Sequence, residues 1–168
     1  GFDRFLSFVR TILLKNKPSS NLLDEYEKNI YQKNILKKGK NTIDFLIELD
    51  GIYDKIIDLN DGNLSNEYKN LVTIMKLGLH SDEWIPTVLS YFLKFEYYNL
   101  DEFIKKLEYK FIGDLMSNVS PSKRRENLNN IIKTIEIVSK ENMDILFENR
   151  ELFDIDKNIF RKNINGDI

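Results

Sequence analysis

The chain contains no cysteine and no alanine, and only one histidine, one tryptophan, three prolines and seven glycines among its 168 residues. Without cysteine there are no disulfides, thiolate metal sites or cysteine nucleophiles, a composition that fits a reducing compartment. With His80 alone, no His-x-x-x-His or Glu-x-x-His pair exists to seed a metal centre. Long apolar runs are equally missing. No stretch approaches the ~20 residues needed to span a bilayer, and no basic segment followed by an apolar one stands at the start. A soluble, cytoplasmic chain without membrane contact is the simplest reading.

The missing alanine goes with an abundance of Lys, Asn, Ile, Tyr and Phe, the residues of A/T-rich codons, so the asparagine content reports nucleotide bias rather than low-complexity biology. The chain opens on Gly1, with helical spacing already under way at Phe2, and we expect a piece of a longer protein. Its length suffices for one domain with a sizeable core, and a single helical domain over residues 1–168 is expected. A formal charge of −2 and a pI near 5.6 exclude coating of nucleic acid by bulk electrostatics; any such contact must be focal.

Helical spacing runs from end to end. Phe2, Phe5, Leu6, Val9, Ile12 and Leu13 form an i, i+3, i+4 stripe that predicts a first helix ending before Pro18. A second starts at Asn21 with Asp24, Glu25 and Glu27 near its positive end. It is expected to reach Lys37-Lys38-Gly39, where Lys37, Lys38 and Lys40 would cap its last carbonyls. A third, capped by Asn41 or Thr42, would turn Ile43, Leu46, Ile47, Ile56 and Ile57 inward and end at Asn60-Asp61-Gly62-Asn63. A fourth carries Tyr68, Leu71, Val72 and Met75.

Ser81 or Asp82 would cap a fifth helix, with Pro86 tolerated in its first turn and Val88, Leu89, Phe92 and Leu93 inward. Asn99 and Glu102 suggest a variant capping box for a sixth with Leu100, Phe103, Ile104, Leu107, Phe111 and Leu115 on one stripe. Ser120-Pro121 is the clearest boundary, an N-cap followed by proline at the first position of a seventh helix bearing Leu128, Ile131, Ile132, Ile135 and Val138. Shorter pieces around Met143, Leu146, Phe147, Ile159 and Phe160 finish the chain. No strand-like alternation and no fixed repeat competes, so the expected fold is all-α, an irregular antiparallel array of about seven to nine helices.

Few residues suggest chemistry. His80, beside Ser81, Asp82 and Glu83, could move a proton or join an interface, but nothing converges on it and a solvated histidine is the preferred reading. Asp50, Asp54 and Asp58 recur every four residues and could face a cation, although such a row is usually a solvated face. Asp61-Gly62 is no calcium loop, because Ile57 and Leu59 fall where oxygen ligands belong. The sequons at Asn63 and Asn118 lack a secretory context.

Trp84 reads as a packing anchor for the segment entering its helix, or as an interface hot spot. Lys123, Arg124 and Arg125 stand out most. Cations in a first helical turn oppose the dipole by ~0.3–1 kcal/mol, which favours an anion such as a nucleic-acid phosphate nearby. The competing reading pairs them with Glu126 or with carboxylates of neighbouring helices.

Glu83-Trp84-Ile85-Pro86, Leu107-Glu108 to Phe111, Ser120-Pro121 and Arg124-Arg125 before Ile131-Ile132 together resemble the helical middle of GmrSD-type modification-dependent restriction endonucleases. The resemblance implies a bacterial parent protein with an N-terminal ParB-like domain and a C-terminal HNH nuclease. It makes Phe160 to Ile168 look like an approach to the nuclease. The histidine general base and metal-binding residues of an HNH site are absent, as is any ParB-like nucleotide motif, so no catalytic, metal or cofactor residue carries over.

The implied function is a non-catalytic connecting or regulatory domain, inert alone. It would have the ParB-like and HNH domains as partners and DNA backbone as a further contact through Lys123, Arg124 and Arg125. Two other classes remain open: a helical protein-interaction module unrelated to nucleases, and an enzyme whose acid/base pair forms across helices.

Overall fold

A computed structural model describes residues 1–166, and their apolar spacing resolves into helices throughout. In chain order these are α1 (Phe2–Leu14); α2 (Leu22–Asp24), continuing as a π-helix (Glu25–Tyr31); α3 (Lys40–Ile56); α4 (Asn66–Gly78); α5 (Ile85–Phe95); α6 (Leu100–Met116); and α7 (Pro121–Ile137). A 3₁₀ turn (Lys140–Asn142), α8 (Asp144–Phe147), α9 (Arg150–Phe153) and α10 (Lys157–Ile164) follow. Among the described residues there is no strand, and the expected all-α array is formed.

The array is organised around α5. Its sequence, IPTVLSYFLKF, is apolar on nearly every side, and a helix of that kind must be enclosed. Eight of its eleven residues are buried, Tyr91 among them, whose ring stacks on Phe103 of α6 at 4.1 Å between centroids. Helices α1, α3, α6 and α7 all pack on it. The buried side chains, from Phe8 to Phe153, join in one continuous core. At ~1.5–3 kcal/mol for each large apolar side chain removed from water, this burial is what makes individually marginal helices persist.

Several boundaries differ from expectation, each for a local reason. The second helix stops at Tyr31, short of Lys37; its last seven residues follow the wider π path, with Gln32 N–H donating to the Glu27 carbonyl at 3.0 Å. In an α-helix, residues five apart point about 140° from each other. The wider turn narrows that angle, so Glu25 and Ile30 are both buried. Lys38 is consequently no cap but an ion-pair partner of Glu27 at 2.8 Å, and Lys40 opens α3.

Helix α3 carries apolar residues on more than one face, and the stripe that turns inward is Thr42, Leu49, Ile52 and Ile56. Ile43 and Ile47 are left 55% and 65% exposed. Asp82 does not cap α5, because its carboxylate accepts both Nε and Nη2 of Arg4, the former at 2.8 Å; α5 begins later, at Ile85. Asn99 has a left-handed backbone at φ 51°, whereas a capping side chain needs an extended one, so the expected box with Glu102 does not form. Ser120 does cap α7 as expected, its Oγ accepting Lys123 N–H at 3.2 Å. Between α3 and α4, the buried carboxylate of Asp61 accepts the Tyr97 hydroxyl, whose donation holds the carboxyl below its ordinary pKa.

The C-terminal segment is keyed to α6 by Gly113. A Cβ built there would lie 2.5 Å from Cγ2 of Ile155, while Lys110 donates to the Asp154 carbonyl at 2.7 Å beside its partner Asp114 at 3.1 Å. Gly113→Ala should therefore destabilise the chain by ~1–3 kcal/mol, the usual cost of overpacking. The loss should appear first as faster amide exchange over α9 and α10; uniform exchange across all helices would contradict this keying.

Candidate functional site

Helices α1 and α7 both pack on α5, and an open cleft of about 650 Å³ is lined by residues of all three. Its floor is Pro86 and Thr87; Phe8 and Ile132 supply apolar wall, and Asn129 a polar one. Proline at the second position of α5 costs no hydrogen bond there and brings the chain in tightly beneath the cleft. Two ion pairs anchor α1, about 16 Å apart along its axis: Arg4 with Asp82, and Lys15 with Glu136 of α7 at 3.2 Å.

Five cations line the cleft against two carboxylates, Glu83 and Glu126. Arg4 and Lys15 are engaged as described. Among the described residues, Lys17 and Lys133 have no carboxylate within 4.0 Å. Arg125 comes only to 3.7 Å from Glu83, beyond hydrogen-bond reach. The fully buried Thr87 hydroxyl has no hydrogen-bond partner among the described residues, nor does Oε2 of Glu83. Asn129, 9% exposed, makes no side-chain hydrogen bond among them either.

The residues singled out by sequence are distributed unevenly around this cleft. Lys123 is exposed and pairs with Glu126 at 3.2 Å. Arg124 turns inward: Nη1 donates at 2.8 Å to the carbonyl of Val119 in the loop between α6 and α7, and Nε lies 3.5 Å from Glu83. Only Arg125 of the three lines the cleft. Trp84 is 1% exposed and its indole N–H donates to the Ser81 carbonyl at 3.1 Å, so the ring serves as a packing anchor. His80 is exposed in the preceding turn.

Asp50, Asp54 and Asp58 are exposed; Asp54 accepts from Asn60 at 2.7 Å and Asp58 pairs with Lys76 at 3.4 Å. No cluster of three potential metal ligands occurs among the described residues. Phe160 to Ile164 belong to α10, while the last two residues of the expected approach to a nuclease lie outside the described residues.

Sequence reasoning missed the group that fixes the loop bearing Lys17. Arg10 and Glu25 form an ion pair whose side chains are 3% and 1% exposed, with Nη2 to Oε2 at 2.9 Å. The other carboxylate oxygen accepts the backbone N–H of Ser19 at 2.8 Å and of Ser20 at 3.1 Å, together with both hydroxyls. Asn29 donates to Oε2 at 3.1 Å, and the Arg10 guanidinium also donates to the Asn16 carbonyl and side-chain oxygen. The hint in the sequence is an arginine between Val9 and Ile12 of the buried stripe, which must find a partner.

Burial opposes ionisation of Glu25, but the donors from Ser19, Arg10 and Asn29 outweigh it and hold the carboxyl well below its ordinary value of 4.5. A depressed folded-state pKa contributes stability that is fully present above the ordinary value and lost as pH falls below it. Urea unfolding should accordingly show stability declining from about pH 4.5 downward. At neutral pH, Glu25→Gln should cost roughly 3–5 kcal/mol, because it strands the Arg10 charge. In Glu25→Gln the acid-side decline should be shallower; an unchanged pH profile would refute the role given to Glu25. Comparison with protein-family models, with curated proteins and with solved structures gives no match to this chain.

Proposed function

We propose that the chain is a non-catalytic helical connecting or regulatory domain of an HNH-type restriction endonuclease, and that its α1/α7 face meets the phosphate backbone of DNA. The parent nuclease is proposed on the resemblance carried by Glu83-Trp84-Ile85-Pro86 and the motifs after it. The DNA contact is supported by one observation, the uncompensated charge at the cleft mouth. In a chain of net charge −2, Lys17 and Lys133 stand without carboxylate partners among the described residues and Arg125 is only loosely opposed. Such cations gain by exchanging condensed counterions for phosphate contacts. Arg124 is left out of the contact set, since its guanidinium is occupied by the Val119 carbonyl.

A second reading, a protein-interaction module, is favoured by the exposed apolar pairs Ile43 and Ile47 on α3 and Ile74 and Leu77 on α4. Paired apolar side chains one turn apart are the usual contact of a helix with a partner groove.

Fluorescence anisotropy with a labelled DNA duplex, across a salt series starting near ~50 mM, separates the two. Arg125→Ala with Lys133→Ala should weaken binding about tenfold and reduce the log–log salt slope by roughly 2. Arg124→Ala should leave the slope unchanged. No binding at low salt, or equal binding by the double variant, refutes the DNA contact and leaves the apolar pairs as the interaction surface.

A further inference from the structure

We propose that the cleft between α1, α5 and α7 binds a small phosphomonoester with a flat organic body, of the nucleoside monophosphate class. The inference uses the same basic mouth as the reading above but depends neither on DNA nor on the parent nuclease. Duplex DNA presents its phosphates on a convex surface, which can meet the mouth but leaves the interior unfilled. The interior has the size of a ligand site, about 650 Å³, and a mixed lining in which Phe8, Pro86, Leu128 and Ile132 supply apolar surface among mostly polar and charged residues.

Each part of such a ligand has a counterpart. The phosphate belongs at the mouth with Lys17, Lys133 and Arg125, where charge-assisted bonds to an anion are strongest and a guanidinium can bind two oxygens at once. Arg125 is available for this because Glu83 holds neither arginine by a hydrogen bond, at 3.5 Å from Arg124 and 3.7 Å from Arg125. When an anion takes Arg125, Glu83 can close on the Nε of Arg124, which is itself buried and unpartnered among the described residues.

The flat body belongs against Arg4. Its guanidinium is fixed by two bonds to Asp82 and lies 4.8 Å from the centroid of the Phe8 ring. The side chain is still 48% exposed, so a planar surface is held ready for stacking. The Asn129 side-chain amide carries both donors and an acceptor and is not hydrogen-bonded among the described residues. It matches the hydroxyl and ring-nitrogen groups of a nucleoside better than the bare tail of a simple acid.

Isothermal titration of the 168-residue chain with AMP, and separately with adenosine, inorganic phosphate and ribose 5-phosphate, tests the assignment. AMP should bind with saturation and at least about tenfold more tightly than any of the other three, because they lack the phosphate or the flat body. Asn129→Leu should weaken AMP binding, while Lys133→Ala should weaken AMP and inorganic phosphate alike.

Absence of saturable AMP binding at millimolar concentration overturns the proposal. So does equal affinity for AMP and inorganic phosphate, or unchanged AMP binding in Asn129→Leu. AMP bound without duplex DNA binding upholds the cleft ligand and refutes only the DNA contact; duplex binding without AMP binding does the reverse.

Discussion

Everything in this molecule follows from the need to enclose α5. A helix with Ile, Pro, Val, Leu, Tyr and Phe on successive faces cannot lie on a surface, so other helices must cover most of it. Helices α1, α3, α6 and α7 do so, but straight helices converging on a short central one cannot remain in contact along their full length. The gap falls over the first turn of α5, where proline and threonine replace larger apolar residues. The cleft is thus a geometric consequence of the core. Its chemistry comes from what α1 and α7 present along the opening.

The same crowding decides the fate of the charges. Many cations here are interior fasteners rather than surface decoration. Lys94 donates to the Ile135 and Glu136 carbonyls at 2.9 and 2.6 Å, closing the end of α7, and Lys76 donates to the Ile57 carbonyl at 3.0 Å, closing α3. Lys110 reaches the carbonyl of Asp154, the residue that ends α9. Each meets carbonyls at a helix C-terminus, and each crosses between segments. Among the described residues, Lys17 and Lys133 have no carboxylate partner, and both line the same cleft.

Periodicity made the helices legible, and the Ser120-Pro121 boundary could be read almost to the residue because local chemistry decides it. The failures occurred where a distant residue intervened. Asp82 has the side chain of a cap, but Arg4, seventy-eight positions away, takes its carboxylate first. Helix α3 offered two apolar faces of similar quality, and only the placement of α5 selected Leu49, Ile52 and Ile56 over Ile43 and Ile47. No local rule signals the π path after Asp24. Its reason is the burial of Glu25 against Arg10, again a contact between separate segments.

The candidate site was the least legible part for the same physical reason. Lys123, Arg124 and Arg125 attracted attention because adjacency in sequence is visible, yet adjacent residues on a helix point about 100° apart. Three neighbours therefore cannot act as one patch, and only Arg125 reaches the cleft. The cations that do line the cleft come from both ends of α1, the loop after it and two separate turns of α7. That loop is fixed in turn by a buried ion pair between α1 and the π segment. A site assembled this way is specified by packing before it is specified by charge, and its residues carry no common signature until the helix at the centre has been covered.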